Sequence, residues 1–503
     1  MDKSNLRLDL PDEAATNRLG EDIAAVLAKG DAIALAGDLG AGKTTLARAI
    51  VRALAGDPDL EVPSPTFTLV QAYEGSLPVL HFDLYRLESP DELEELGLED
   101  GLESGAVLVE WPERAGELLP ERAITVEIGT AASGRSVRIS GDEEAMGRIR
   151  RSIDIRHFLR QSGLEDAHRR YLLGDASIRA YETILSGARP PLILMNAPPR
   201  PLGPPIRDGK TYGEIAHLAH TVVPFVAMDR ALRERGFAAP RIYAQDLEKG
   251  LLLLEDLGRV GIVQPDGSPI GERYLASAEL LAAIHDSDWP AELPVAGDLM
   301  HRLPLYDREA MMIEVDLFLD WFVPFASGRK ATHGERIDFH AIWDDLIARL
   351  ETSKPGIVLR DFHSPNIIWR ADRQGHDRLG IIDFQDALIG SPAYDVASLA
   401  FDARIDIAPD LSQAIVEAYW RARGVASPGG DRERFDEAFA IAAAQRNTKI
   451  LGLFVRLDRR DGKPHYLRHL PRIRDYLMRA LGHPVMEPLR DFYLGARLAE
   501  ASL

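Results

Sequence analysis

Residues 37–45 read GDLGAGKTT. Gly37, Gly40, Gly42, Lys43 and Thr44 fill the spacing G-x-x-x-x-G-K-[ST]. In that pattern glycines let backbone N–H groups wrap a phosphate, and the lysine reaches the β- and γ-phosphates. The hydroxyl suits Mg²⁺. The surroundings agree. DAIALAG (31–37) is a short apolar run ending in glycine, the signal of a buried strand. TTLARAIVRALAG (44–56) has helical spacing and a glycine stop. The loop thus falls where a strand meets a helix N-terminus, whose partial positive charge favours an anion. Asp38, Ala41 and Thr45 complete the expected phosphate cradle.

A phosphate loop of this kind needs a carboxylate at the end of a neighbouring strand. Two candidates stand in strand-like runs: Asp83 in LPVLHFDLY (77–85) and Glu110 in AVLVEWP (106–112). With AITVEI (123–128) these runs alternate with helical stretches, the rhythm of a parallel α/β sheet. A guanine-reading N-K-x-D is absent, which favours ATP.

The length of 503 residues predicts more than one domain. With no cysteine, disulfides, cysteine nucleophiles and thiolate metal sites are excluded. No run of about 18 apolar residues occurs, so a membrane span is not expected. The opening MDKSNLRLDLPDEAATN has no apolar core of a secretory signal, and a cytoplasmic location is the expectation. Residues 1–150 hold 29 of the acidic and 14 of the basic side chains, so most of the net charge of −20 sits there. Such a segment repels a nucleic-acid backbone. Any role near nucleic acid is expected to run through a partner protein rather than direct binding.

Four blocks now stand in order: GDLGAGKTTL, VPSPTFTLVQAY (62–73), HFDLYRL (81–87) and VEWPER (109–114). Together they resemble the TsaE family, small P-loop ATPases required for threonylcarbamoyl modification of tRNA adenosine. The resemblance covers about residues 5–140. It implies that Thr44 and Glu110 hold Mg²⁺, that Asp83 organises the phosphate site, and that SPTF (64–67) senses nucleotide. It also implies that Thr16 lies near the base and that the TsaB and TsaD proteins are partners.

A second constellation lies far along the chain. RDFHSPN (360–366) and IIDFQD (381–386) place Asp361, Asn366 five residues on, and Asp383 on a following strand. That is the spacing of a kinase catalytic loop. The first aspartate orients or deprotonates the attacking hydroxyl, and the other two residues supply oxygens to Mg²⁺ on the nucleotide. His363 either shapes this loop or touches substrate. Upstream, LLGDASIRAYETI (172–184) suits a hairpin over phosphates, with Gly174, Ser177 and Arg179 offering a turn, a hydroxyl and a cation. Met195 in PLILMNAP stands where a kinase strand places its lysine, so Arg179 is the expected substitute.

GDAS, LMNAP, LEDLG (254–258), RDFHSPNIIW, IIDFQDALIGSPAYDVASL and NTKILGLFVRLDRRDGKPHYLRHLPR (447–472) resemble the anomeric kinases of N-acetylmuramate and N-acetylglucosamine. These belong to the aminoglycoside phosphotransferase group. The resemblance spans about 153–490 and implies ATP, Mg²⁺ and an amino-sugar substrate. Methionine at the lysine position is part of that family's pattern. The late block is rich in cations: Arg446, Lys449, Arg456, Arg459, Arg460 and Lys463. Arginine suits a sugar carboxylate better than it suits a cationic aminoglycoside. Arg446, Lys449 and Arg456 are therefore expected at the substrate, with His363.

The expected architecture is an α/β P-loop NTPase domain over 1–148, then an α+β protein-kinase-like domain over 149–503. Two alternatives remain for the second part: a phosphotransferase for another small hydroxyl substrate such as an aminoglycoside or choline, or a nucleotide-bound scaffold without catalysis.

Overall fold

The computed structural model describes residues 4–87, 89, 91–131, 133–172, 179–187, 189–200, 203–426 and 432–495. The chain groups into two compact units. One is Met1–Ala197 with Ala244–Asp246 and Leu251–Leu254. The other is Pro198–Tyr243, Leu247–Gly250 and Glu255–Leu503.

The first unit is built on a seven-stranded sheet. Its four central strands, in spatial order Ile124–Thr130, Ala32–Ala36, Ala106–Glu110 and Val79–Asp83, are parallel. The edges correct the expectation of an all-parallel sheet. Val70–Tyr73 pairs antiparallel at one side, and Arg135–Gly141 with Ser4–Leu10 does so at the other. Ala32–Ala36 and Ala106–Glu110 read as nearly unbroken apolar runs because both of their faces are covered. The edge strands alternate, so they carry a weaker apolar signal.

Helix Glu13–Ala24 is capped by Asp12, whose side chain accepts from Ala15 N at 2.7 Å. It packs along helix Lys43–Ala55, which ends on Gly56 at φ +69°. Helix Glu143–Gln161 begins at Asp142, which accepts from Ala145 N at 2.8 Å. Residues 143–152 look polar because just three of them (Ala145, Met146, Ile149) are apolar and face the core. The expected 148/149 boundary therefore lies inside this helix. Its first half packs into the core of the seven-stranded sheet. Its second half supplies Ile155, Phe158 and Leu159 to a separate core with Ile184, Leu194, Leu251 and Leu253.

That second core lies on a five-stranded antiparallel-rich sheet, ordered Ile242–Asp246, Leu251–Glu255, Leu192–Asn196, Ala180–Leu185 and His168–Leu172. A buried ionic cluster joins this part to the P-loop part. Asp22, only 2% exposed, receives Arg156 and Arg169 (Nη1 at 2.7 Å). Arg169 also grips Glu182 at 2.7 and 2.8 Å, and Arg156 reaches Glu21 at 3.2 Å.

The second unit is mostly helical. Two short antiparallel pairs hold its loops: Gly356–Val358 with Leu388–Gly390, and Ile367–Trp369 with Leu379–Ile381. Helix Arg432–Arg459 runs through its core. No helix among the described residues is long and apolar enough to cross a membrane.

Candidate functional sites

The phosphate loop leaves strand Ala32–Ala36 and enters helix Lys43–Ala55. Gly37 has φ +142°, and a Cβ there would stand 2.3 Å from the Ile128 carbonyl oxygen, so only glycine fits. Lys43 Nζ donates to the carbonyls of Gly37 (2.7 Å) and Asp38 (3.0 Å), holding the loop in a ring around the ammonium. The same Nζ lies 3.6 Å from the centroid of the Trp111 ring. Burial pulls the Lys43 ammonium below its usual range, opposed by Glu110, Glu113, Asp83 and Asp38. Trp111 sits at φ +60°, a left-handed conformation for a bulky residue, directly after the strand that ends in Glu110.

The two candidate carboxylates have different places. Thr44 Oγ1 donates to Glu110 Oε2 at 2.9 Å, and the other Glu110 oxygen lies 3.0 Å from His81 Nε2. Asp83 instead gathers the SPTF loop. It accepts from Ser64, from Thr66 Oγ1 at 2.8 Å and from Tyr85 N at 3.0 Å. A hydroxyl and a carboxylate brought within hydrogen-bond distance beside a phosphate loop form a hard oxygen set that fits Mg²⁺. Thr16 is fully buried and accepts from Arg135 Nη1 at 2.8 Å. Arg135 in turn lies against Gly42, where a Cβ would meet its Nε at 2.7 Å. Sequence reasoning missed Arg135, Trp111 and His81. Their signal was present in the quoted blocks only for the last two.

In the second unit, Asp361 is held by its backbone. Leu359 N and Arg360 N both donate to the buried Asp395 carboxylate, at 2.6 and 2.8 Å. Arg360 is at φ +74° and Asp383 at φ +64°. Two non-glycine residues in the left-handed region mark a backbone constrained by its surroundings. Asn366 Nδ2 donates to the Asp361 carbonyl at 2.8 Å and to Asp383 Oδ2 at 3.4 Å. Ile382 N donates to the Asn366 carbonyl at 3.0 Å, which sets Asp383 beside Asn366. Asn366 and Asp383 thus lie side by side, an amide and a carboxylate whose oxygens are of the kind that Mg²⁺ takes. Water still reaches the Asp361 side chain, which is 41% exposed. The partial loss of water around it, and then the Asp383 carboxylate, push its carboxyl above the usual range. Asp386 adds to that shift, and Lys449 and Arg360 oppose it.

His363 is buried, with Nε2 3.9 Å from Asp361 and the Arg404 guanidinium 3.3 Å from both ring nitrogens. Burial, Arg404 and Arg446 hold it well below its usual range, so the ring is neutral. The loop is pinned further on by Asp402, which accepts from Ser364 N at 2.8 Å and Tyr274 at 3.1 Å.

The late cations have different partners. Arg446 is 4% exposed and donates to the Phe401 carbonyl at 3.1 Å. Arg459 lies over Phe325, and Arg460 pairs with Asp461 at 2.8 Å. Lys449 donates to Glu314 at 2.7 Å. Glu314 is a fully buried carboxylate that also receives Arg360, Tyr306 and Gln445. Its cationic partners keep it at about 2 despite burial. No local pattern in the chain marks it.

Of the elements expected around nucleotide in the kinase-like part, Gly174 and Ser177 lie outside the described residues. Arg179 stands one residue before strand Ala180–Leu185, and Met195 is buried on the neighbouring strand opposite Tyr181. A strand cation does exist in this sheet, Arg169, but Asp22 and Glu182 occupy it.

A family model described as Threonylcarbamoyl adenosine biosynthesis protein TsaE matches residues 10–137, and one described as Phosphotransferase enzyme family matches 168–437. The chain belongs to both families. A Caulobacter vibrioides N-acetylmuramate/N-acetylglucosamine kinase is 33% identical over 349 residues, covering 67% of this chain and 94% of that protein. The Pseudomonas aeruginosa protein of the same name is 33% identical, covering 61% and 82%. A Rickettsia felis tRNA threonylcarbamoyladenosine biosynthesis protein TsaE is 41% identical over 122 residues, covering 24% of this chain and 71% of that protein. The TsaE-family segment therefore holds the Lys43 site. The phosphotransferase segment holds the Asp361 site, and the two are fused in one chain.

Proposed function

We propose that the chain is bifunctional. Its TsaE-family segment acts as the ATPase component of tRNA threonylcarbamoyladenosine formation, working with TsaB and TsaD. Its phosphotransferase segment phosphorylates the anomeric hydroxyl of N-acetylmuramate or N-acetylglucosamine with ATP, yielding a sugar 1-phosphate for peptidoglycan recycling. The observation that carries the second reading is the meeting of Asp361, Asn366 and Asp383 on a loop pinned by Asp395 and Asp402.

In this reading the Asp361 carboxylate accepts the sugar hydroxyl's proton as that oxygen attacks the γ-phosphorus and the bond to the leaving ADP oxygen breaks. Asn366 and Asp383 would hold Mg²⁺, which neutralises phosphate charge. Asn366 also fixes the Asp361 backbone. In the TsaE-family segment Lys43 binds phosphate, Thr44 and Glu110 would hold Mg²⁺, and Asp83 couples that centre to Ser64 and Thr66.

The test is sugar phosphorylation by purified full chain. Wild type converts both amino sugars, and Asp361→Asn lowers kcat by roughly 10²–10⁴-fold with the fold intact. Full turnover by that variant removes Asp361 from the role and the reading with it.

A further inference from the structure

Helix Arg432–Arg459 approaches the end of helix Arg308–Leu317 so closely that Gly452 has no room for a side chain. A Cβ there would lie 2.1 Å from the Leu317 carbonyl oxygen. Gln445, Lys449, Gly452 and Arg456 recur at helical spacing on this face. Gln445 and Lys449 bind Glu314, and Lys449 Nζ is also 3.5 Å from the Tyr394 hydroxyl. Two turns beyond Lys449, Arg456 lies 4.7 Å over the Tyr212 ring. The guanidinium also bonds the Tyr212 side chain, but its Nε is a buried donor with no partner among the described residues.

Glu314 faces Arg360 and Lys449, and Tyr212 feels Arg456 in the same neighbourhood as those three groups. Asp461 is nearby but is held by Arg460. The Lys449 ammonium also acts on the Asp361 carboxyl. An orphaned Arg456 donor therefore lies over a tyrosine ring that shares its surroundings with Lys449, the cation that reaches toward Asp361. A buried charged donor without a partner is costly unless a ligand completes it.

We propose that Arg456, with Lys449 and the Tyr212 ring, forms a subsite for an anionic substituent on the acceptor sugar. This rests on the sugar-kinase reading above and names what separates its two substrates. The carboxylate of N-acetylmuramate is received by the planar guanidinium and the ammonium, and N-acetylglucosamine has nothing to place there. Glu314 is the positioning residue that holds Lys449 in line.

The experiment measures kcat/KM for N-acetylmuramate and N-acetylglucosamine, and KM for ATP, in full-length wild type, Arg456→Gln and Arg456→Lys. The expected result is that the ratio of acid to neutral sugar falls roughly tenfold in Arg456→Gln, the scale of one charge-assisted contact. It falls less in Arg456→Lys, which keeps the charge without the fork. If Arg456→Gln does not fold, the ratio in Arg456→Lys decides. Equal losses on both sugars would mean a packing role and overturn the subsite. A change confined to the KM for ATP would mean that the cations face phosphate, and overturns it as well. A wild type that turns over both sugars, with the ratio unmoved in the variants, sinks the subsite alone. A wild type that turns over neither sinks the subsite and the kinase reading together.

Discussion

The two sites are assembled in opposite ways. The Lys43 site is almost entirely local. Nine consecutive residues form the loop, and Thr44 needs one outside carboxylate, Glu110, from the adjacent parallel strand. The Asp361 site is local only in its loop. The groups that hold it come from remote segments: Asp395 and Asp402 behind the backbone, Glu314 on one helix and Lys449 on another. A phosphate cradle made of backbone N–H groups depends on φ and ψ, which glycines specify within a few residues. A poised carboxylate depends on the field around it, which only packing can arrange.

The largest effects should come from crossing the two sites. Lys43→Ala should abolish ATP hydrolysis by the TsaE-family segment while sugar phosphorylation by the same preparation stays within about twofold of wild type. Loss of both activities together would break the comparison, because it would make one site depend on the other's nucleotide.

Next come the two buried ionic clusters. Glu314→Gln leaves Arg360 and Lys449 without their shared anion, and Asp22→Asn leaves Arg156 and Arg169 without theirs. Each is expected to cost about 3–5 kcal/mol, read as a lowered midpoint in urea unfolding. The two should differ in function. Glu314→Gln also lowers sugar turnover, whereas Asp22→Asn spares the chemistry of Asp361. A fragment starting at residue 150 removes Asp22 altogether, so it should melt well below the intact chain. A fragment of unchanged Tm would show that the ionic cluster is dispensable.

Gly452→Ala comes third. The added methyl meets the Leu317 carbonyl at 2.1 Å, and forcing the helices apart should cost roughly 1–3 kcal/mol. It should raise the KM for sugar more than the KM for ATP, because it displaces Lys449 and Arg456 on their helix.

The smallest effect is one of pH. Asp229 is 1% exposed, and burial pushes its carboxyl up to about 7, only partly opposed by Arg233 and Arg230. The folded chain therefore holds a proton that the unfolded chain releases near 3.8. Stability falls as pH rises from about 4 to about 7, then stays level. Asp229→Asn removes that loss. Its gain in stability should be near zero at pH 4 and reach roughly 1–3 kcal/mol at pH 8, measured by urea melts at both. An equal gain at both values would show that Asp229 is not the titrating group.

Much of this molecule was legible beforehand, for physical reasons. Strands Ala32–Ala36 and Ala106–Glu110 were readable because burial on both faces demands continuous apolar runs. Strand Ser4–Leu10, which alternates exposed and half-buried side chains, was not. The first half of helix Glu143–Gln161 presents one narrow apolar edge, which leaves a faint pattern. Asp361, Asn366 and Asp383 were found by spacing. Glu314 was invisible, because an isolated glutamate on an apolar helix carries no mark of the partners that will meet it.

The two families and their two loop motifs are legible along the chain, because each rests on residues close together in it. What the charges do is set by folding. It brings Glu110 to Thr44 and Asp83 to Ser64 and Thr66, and it sets Lys449 against Glu314 and Arg456 over Tyr212. Hydrogen-bonding spacing is written locally in a chain. Whether a charge is paired depends on partners more than a hundred residues away, and folding alone brings them together.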